Sequence, residues 1–334
     1  MATVMSTSSA ASVATPGRSQ FAIATAVMAG LLAIAPFVGI YPIFLMKALC
    51  FALFACAFNL LLGFGGLLSF GHAMFLGTAG YVAAHAAKVW GWPPEASILA
   101  GTAAATALGC ITGALAIRRQ GIYFAMITLA LAQMMFFFYL QAPFTHGEDG
   151  IQQVPRGRIL GFIDLSNVYG MYYTVLVTFL VAFVFIYRIV NSPFGQVLKA
   201  IRENEPRAIS LGYDADRYKL LAFVLSAGLS GLAGSMKAIV FQLASLTDVH
   251  WTMSGEVVLM VLLGGMGTIF GPVVGAFVIV AIESYLTAGI VIGTMRFGPE
   301  WAIVLTGTIF VVCVLAFRRG IVGELGAWWA RRKG

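Results

Sequence analysis

Apolar residues in this chain neither alternate nor recur as a narrow helical stripe. They come in long unbroken runs near 21–40, 43–63, 66–87, 96–117, 121–141, 170–188, 220–243, 255–270, 272–292 and 299–317. A run of about 20 apolar residues, wound as a helix, matches the hydrocarbon thickness of a bilayer. Lipid satisfies no backbone N–H or C=O, so such runs must be helices that bond internally. The pattern predicts an all-α polytopic membrane protein with about ten transmembrane helices. Spans 1–5 and 6–10 would start from opposite sides, which predicts two five-helix halves related by an inverted repeat. Glycine interrupts the pattern twice, at Gly63-Phe64-Gly65-Gly66 on to Gly71 and at Gly264-Gly265-Met266-Gly267 on to Gly271-Pro272. Irregular backbone at membrane depth survives only inside protein or beside a cavity. Both stretches are therefore predicted to be broken or re-entrant segments next to a pathway.

Composition supports this reading. Of 334 residues, 60% are hydrophobic and 10% charged, against roughly 25% charged in a soluble domain. That excludes a soluble globular enzyme, a disordered chain and a disulfide scaffold. Cys50, Cys56, Cys110 and Cys313 lie in apolar stretches without a C-x-x-C pair and read as small buried hydrophobes. The net charge of +7 is scattered between the runs, unlike a nucleic-acid patch. Of the 20 Lys and Arg, fourteen fall on the side of the N-terminus and four on the other, with Lys47 and Lys237 inside spans. The positive-inside rule makes the first side cytoplasmic. Residues 1–20 are expected to form a disordered cytoplasmic tail, 21–318 the membrane domain and 319–334 a basic cytoplasmic tail.

Few ionisable residues lie within the spans: Glu256, Glu283, His72, His85 and Lys237, with Lys47 near an outer end. Lys47 and Lys237 are expected to snorkel outward. An ion-driven carrier would carry deep acidic residues in several spans. His72 either touches a solute or makes a capping or interhelical hydrogen bond. Gly101, Ala105, Gly109 and Gly113 repeat at four-residue spacing, and Ser226, Ser230 and Gly234 run beside Ala227, Gly231 and Ser235. Such small-residue faces let helices approach closely, for sliding or for static packing. No P-loop, H-E-x-x-H, G-x-S-x-G or Cys/His cluster is present.

The longest polar stretch between spans, Asn191–Lys219, contains Pro193, Pro206 and Gly212. Ser192-Pro193 reads as a helix start. From Gln196 to Asn204, Val197, Leu198 and Ile201 form one stripe and Lys199, Arg202 and Glu203 another, with Lys199 and Glu203 at ion-pair spacing. A short amphipathic helix of this kind suits docking on a partner or lying at the membrane surface. The opposite loop, 143–169, carries the turn-forming His146-Gly147-Glu148-Asp149-Gly150.

Four motifs in order carry a resemblance. They are Asn59-Leu60-Leu61-Leu62-Gly63-Phe64-Gly65-Gly66-Leu67-Leu68-Ser69-Phe70-Gly71-His72, Gly121-Ile122-Tyr123-Phe124-Ala125-Met126-Ile127-Thr128-Leu129, Ser192-Pro193-Phe194-Gly195 with Ala200-Ile201-Arg202-Glu203-Asn204-Glu205, and Gly264-Gly265-Met266-Gly267 with Gly271-Pro272. From about residue 43 to 325 the chain resembles the LivM-type permease subunits of bacterial branched-chain amino-acid ABC importers. Members of that family are also assigned to urea, short amides and aromatic acids. The resemblance implies a multi-pass protein of the bacterial inner membrane. Its expected partners are a second homologous permease in a heterodimer, two cytoplasmic ATPases and a periplasmic substrate-binding protein. No cofactor is expected in this chain, since ATP and Mg would be held by the ATPases. It implies that 192–218 contains the helix that couples to the ATPase, with Ala200, Ile201, Arg202, Glu203, Asn204, Glu205 and Gly212 as the expected coupling residues. Gly65, Gly66, Ser69, His72, Gly264, Gly265 and Gly267 are the expected pathway residues. The rival reading is a stand-alone secondary carrier or channel for a small polar solute. An intramembrane enzyme would need a cluster of polar groups in mid-span, which the sequence lacks.

Overall fold

The computed structural model describes residues 18–159, 161, 163–287, 290–292, 295–297, 307–308, 311 and 320–324. The expected tenth span at 299–317 lies almost wholly outside the described residues, as do the tail before Arg18 and residues 325–334. Eleven α-helices follow in order among the described residues: α1 Arg18–Ile34, α2 Pro42–Asn59, α3 His72–Lys88, α4 Pro94–Ala116, α5 Ile122–Gln141, α6 Val168–Asn191, α7 Pro193–Glu203, α8 Glu205–Ser210, α9 Ala215–Phe241, α10 Trp251–Gly264 and α11 Gly271–Thr287. Short strands pair as two-stranded ribbons: β1 Ile151–Gln152 with β4 Leu243–Ala244, β2 Arg158–Ile159 with β3 Ile163–Asp164, and β5 Ile290–Ile292 with β6 Met295–Phe297. Six helical segments among the described residues are long and apolar enough to cross a membrane.

α2 sits at the centre, because its sequence is apolar all round and a helix of that kind must be surrounded by protein. Every residue from Ala48 to Gly65 is buried. α1, α4, α5 and α6 keep apolar faces outward, with Ile23, Leu99, Met126 and Val181 all exposed, as lipid-facing helices do.

The small-residue faces identified in the sequence pack against each other. A Cβ built on Gly109 would stand 2.5 Å from Ala227 Cβ, and one on Gly231 would stand 2.4 Å from Ala105 Cβ. Gly101 meets Ser235 and Gly113 meets Phe223 in the same antiparallel register. The seam between α4 and α9 therefore steps by four residues on both helices, one turn at a time. α3 closes on it as well, since a Cβ on Gly101 would be 2.5 Å from the Ala79 carbonyl.

The chain ends α2 with a π-helical turn, Leu60–Phe64. Residues 66–71 are not helical, although the apolar run predicted a helix from 66. Gly66 at φ +71° turns the chain back, and helix resumes only at His72. His72 lies beside Ser226, eleven residues into α9, about 17 Å from that helix's start. The third run is therefore a broken helix whose loop climbs back into the bundle. Backbone donors there have no water to bond and find side chains instead. Phe70 N–H donates to Thr128 Oγ1 (3.2 Å), Gly71 N–H to Ser69 Oγ (3.2 Å) and Ala73 N–H to Ser254 Oγ (2.8 Å).

α10 and α11 form a hairpin. The turn after α10, at 265–270, lies at the bundle end that carries α7, since a Cβ built on Gly267 would stand 3.4 Å from Arg202 Nη1 of α7. At the opposite end β1 pairs with β4, Lys88 Nζ donates to the Gln152 carbonyl (2.8 Å) and Arg156 Nη2 donates to the Val240 carbonyl (2.8 Å). The described part of α11 ends at Thr287, and β5 begins at Ile290, before the expected end of the run at 292.

Candidate functional site

The polar stretch after α6 folds because each of its helices is capped by its own side chain. Ser192 Oγ accepts from Gly195 N–H (3.3 Å), Asn204 Oδ1 from Arg207 N–H (3.1 Å) and Asp214 Oδ1 from Arg217 N–H (3.2 Å). Pro193 and Pro206 occupy first turns, where no N–H is needed. The amphipathic reading of α7 holds. Leu198 and Ile201 are buried, Ile201 packs with Ala208 and Ala215, and Phe194 stacks on Tyr218 with ring centroids 5.6 Å apart. Ala200 and Glu203 are exposed. Gly212, at φ +90°, turns the chain from α8 into α9 with open space around it.

Arg202 reaches from α7 to the end of α2, where its Nη1 donates to the carbonyl of Gly63. The aliphatic part of the same side chain lies against Gly66, so that a Cβ there would be 2.9 Å from Arg202 Cγ. Gly63 also adjoins the second glycine stretch. Asn59 binds that turn with both ends of its amide: Nδ2 donates to the Thr268 carbonyl (2.8 Å) and Oδ1 accepts from Gly267 N–H (3.0 Å). Gly63 has no room for a side chain, because a Cβ would stand 2.0 Å from Asn59 Oδ1 and 2.7 Å from Gly267 N. The two glycine stretches, about 200 residues apart in sequence, thus form one junction on which the arginine of α7 is seated.

Glu205 makes a second anchor. Its Oε1 pairs with Lys219 Nζ of α9 at 2.6 Å and accepts from Gln120 Nε2, in the α4–α5 connection, at 3.0 Å. The Lys219 side chain is 5% exposed, so the pair is enclosed. Lys199 forms no ion pair with Glu203 among the described residues. Its ammonium instead lies 5.5 Å from the centre of the Phe64 ring, and burial there holds it below the ordinary lysine range. Beyond the anchors, Ile209, Leu211 and Tyr213 leave an apolar patch exposed at the end of α8.

The other expected pathway residues lie around and behind this junction. Gly65 is buried, 3.7 Å from Leu198 Cδ1 by its built Cβ. Gly264 packs on Gly271, while Gly265 and Gly267 turn the hairpin at φ +124° and +76°. Ser69 is buried on Gly71. His72 is buried among the edges of Phe58, Phe75 and Phe223. The Ser226 hydroxyl gives its one proton to the Ala57 carbonyl (2.6 Å), so it must accept from His72 Nε2–H (2.8 Å). Of the two roles open to His72 from sequence, the structure displays the interhelical hydrogen bond. Asn59 and Lys219 were the residues that sequence reasoning passed over. An amide within an apolar run must find a partner, and that signal was available at Asn59.

These features define a multi-pass α-helical membrane protein with a broken-helix interior and a charged helix pair clipped to one face. The chain belongs to the family described as branched-chain amino acid transport system / permease component, whose profile matches residues 40–314. It is 26% identical over 292 residues to the high-affinity branched-chain amino acid transport system permease protein LivM of Escherichia coli and, equally, to that of Salmonella typhimurium. Each of these matches covers 79% of this chain and 65% of the relative, slightly under two thirds of the relative's length. A probable branched-chain amino acid transport permease protein LivM of Methanocaldococcus jannaschii is 30% identical over 133 residues, 38% of either chain. No solved structure matches.

Proposed function

We propose that this chain is the permease subunit of an ATP-driven importer for branched-chain amino acids or a related small solute, working by alternating access. The carrying observation is the double anchor of α7–α8. Arg202 seats the helix pair on the junction of both glycine stretches, and Glu205 ties it to α9 and to the α4–α5 connection. A push on the exposed side of α7–α8 therefore reaches α2, α9 and the α10–α11 hairpin together. Ala200, Ile201, Arg202, Glu203, Asn204, Glu205 and Gly212 form the coupling set in this reading. The apolar Ile209, Leu211 and Tyr213 and the exposed Glu203 face the ATPase. The pathway runs beside Gly65, Gly66, Ser69, His72, Gly264, Gly265 and Gly267, where backbone is irregular and, His72 apart, side chains are absent or small.

The chain works with a second permease, two ATPases that hold ATP and Mg, and an external binding protein. It spans a bacterial inner membrane ten times, in two inverted halves, with both termini cytoplasmic. The excess of Lys and Arg on the α7 side supports that orientation. Affinity purification from native membranes tests the assembly: recovery of two ATPase chains and a second permease is expected. Leucine uptake by liposomes carrying this chain alone would refute it. In the assembled importer, Glu203→Lys is expected to abolish uptake while the protein remains in the membrane.

A further inference from the structure

We propose that Asn59 is a positioning residue of the transport cycle, the link through which α7 moves the α10–α11 hairpin. The proposal rests on the permease reading and adds to the coupling set a side chain that lies outside α7 and α8. Asn59 is the last residue of α2 and is buried. Its Nδ2 donates to the Thr268 carbonyl (2.8 Å) and its Oδ1 accepts from Gly267 N–H (3.0 Å). These are the only hydrogen bonds between α2 and the 265–270 turn among the described residues. The partners fix the orientation of the amide, since a carbonyl only accepts and an N–H only donates. α7 makes no hydrogen bond to this turn among the described residues. Its Arg202 binds the Gly63 carbonyl instead, one turn past Asn59. A Cβ on Gly63 would stand 2.0 Å from Asn59 Oδ1, so the two sites touch. The hydrogen-bonded path from α7 to the hairpin therefore crosses one carbonyl and one amide.

Asn59 is not what gives the turn its shape. Thr268 does that, because its Oγ1 donates to the Gly265 carbonyl (2.7 Å) and accepts from Gly271 N–H (3.0 Å). The Asn59 amide therefore sets where the turn sits against α2. Towards the start of α2, Lys47 pairs with Glu283 of α11 at 3.0 Å, while Lys237 of α9 pairs with Asp248 of the turn before α10. Pairing replaces the snorkelling expected of both lysines. Lys47 and Asn59 stand about 18 Å apart along the helix. The hairpin is thus held to α2 at two separated points. Without the amide it keeps the far one and loses the one that α7 drives. Only a short group that both donates and accepts serves here. Leucine is close to asparagine in size and does neither. An ionised aspartate accepts from Gly267 but turns its other oxygen on the Thr268 carbonyl with no proton between them. A protonated aspartic acid donates and accepts as the amide does.

The test uses the complete importer in proteoliposomes and reads leucine taken up per ATP hydrolysed, with size-exclusion chromatography as the check on assembly. Asn59→Leu is expected to go on hydrolysing ATP while that ratio falls about tenfold or more. Spin labels at the exposed Gln196 on α7 and Val274 on α11, each measured against a label at Ile111, report the motion. In the wild type both distances are expected to respond to ATP, and in Asn59→Leu only the Gln196 distance. Asn59→Asp supplies the chemical test and serves alone if Asn59→Leu does not assemble. Burial raises a carboxyl towards the neutral range, so its ratio is expected to approach the wild type's at about pH 6 and to fall at about pH 8.5 as the carboxyl ionises. Arg202 on the Gly63 carbonyl and Lys199 at the Phe64 ring are the charged groups beside the junction, and the wild type over the same pH range controls for them. A wild-type ratio in Asn59→Leu overturns the link. So does an Asn59→Asp ratio that keeps a constant proportion to the wild type's across that range. Absence of ATP-driven leucine uptake by the wild type refutes the permease reading itself, and the label distances then still decide the link.

Discussion

Arg202 shows what one side chain does at a helix end. The last carbonyls of a helix have no partner within it, and inside a membrane bundle each such group is costly. At the end of α2 that role falls to a guanidinium from a helix 139 residues further on. A hydrogen bond from a charged donor contributes about 1.5–3 kcal/mol, enough to hold the contact without making it permanent. Arg202→Met keeps the packing against Gly66 and removes the donor. The proposed importer is then expected to assemble and hydrolyse ATP while uptake falls at least tenfold, which a paired ATPase and transport assay reads directly. The sequence marked Arg202 as a coupling residue, but its target was not legible, because only the fold brings Gly63 beside it. Lys47 and Lys237 were read as snorkelling outward for a similar reason. Glu283 and Asp248 lie far from Lys47 or on the next loop, and no local spacing announces the pairs.

At the scale of elements, runs of apolar residues were easily read because lipid imposes one length and one backbone solution. α1, α2, α4, α5, α6 and α9 fall where the runs fall, within a few residues. The break at 66–71 was foreseen from its glycines, but its extent was not. That required knowing that Thr128, Ser69 and Ser254 stand ready to satisfy Phe70, Gly71 and Ala73. The α4 and α9 small-residue faces were visible as spacing, and the structure shows that they are each other's partners. Gly109→Leu would drive a side chain into Ala227. Overpacking of this kind costs about 1–3 kcal/mol, so a lower unfolding midpoint in thermal denaturation is expected, with Leu99→Ala on the exposed face of α4 as the near-neutral control.

For the whole molecule, the class was readable from the long apolar runs and the motif order. The meeting of both glycine stretches with α7 depended on tertiary structure. The register between α4 and α9 has a further consequence. Like two toothed racks, the helices interlock at every fourth residue, so no intermediate position between one tooth and the next is open to them. In the proposed alternating-access cycle α3, α4 and α9 are then expected to travel as a single slab, with the remaining displacement falling on α2 and the α10–α11 hairpin. Spin labels at Ile111 and Leu221, both exposed on the slab, are expected to keep one separation with and without ATP. A label at Val274 on α11 is expected to shift against either. A slab that shears would show instead as a second Ile111–Leu221 distance in pulsed dipolar spectra.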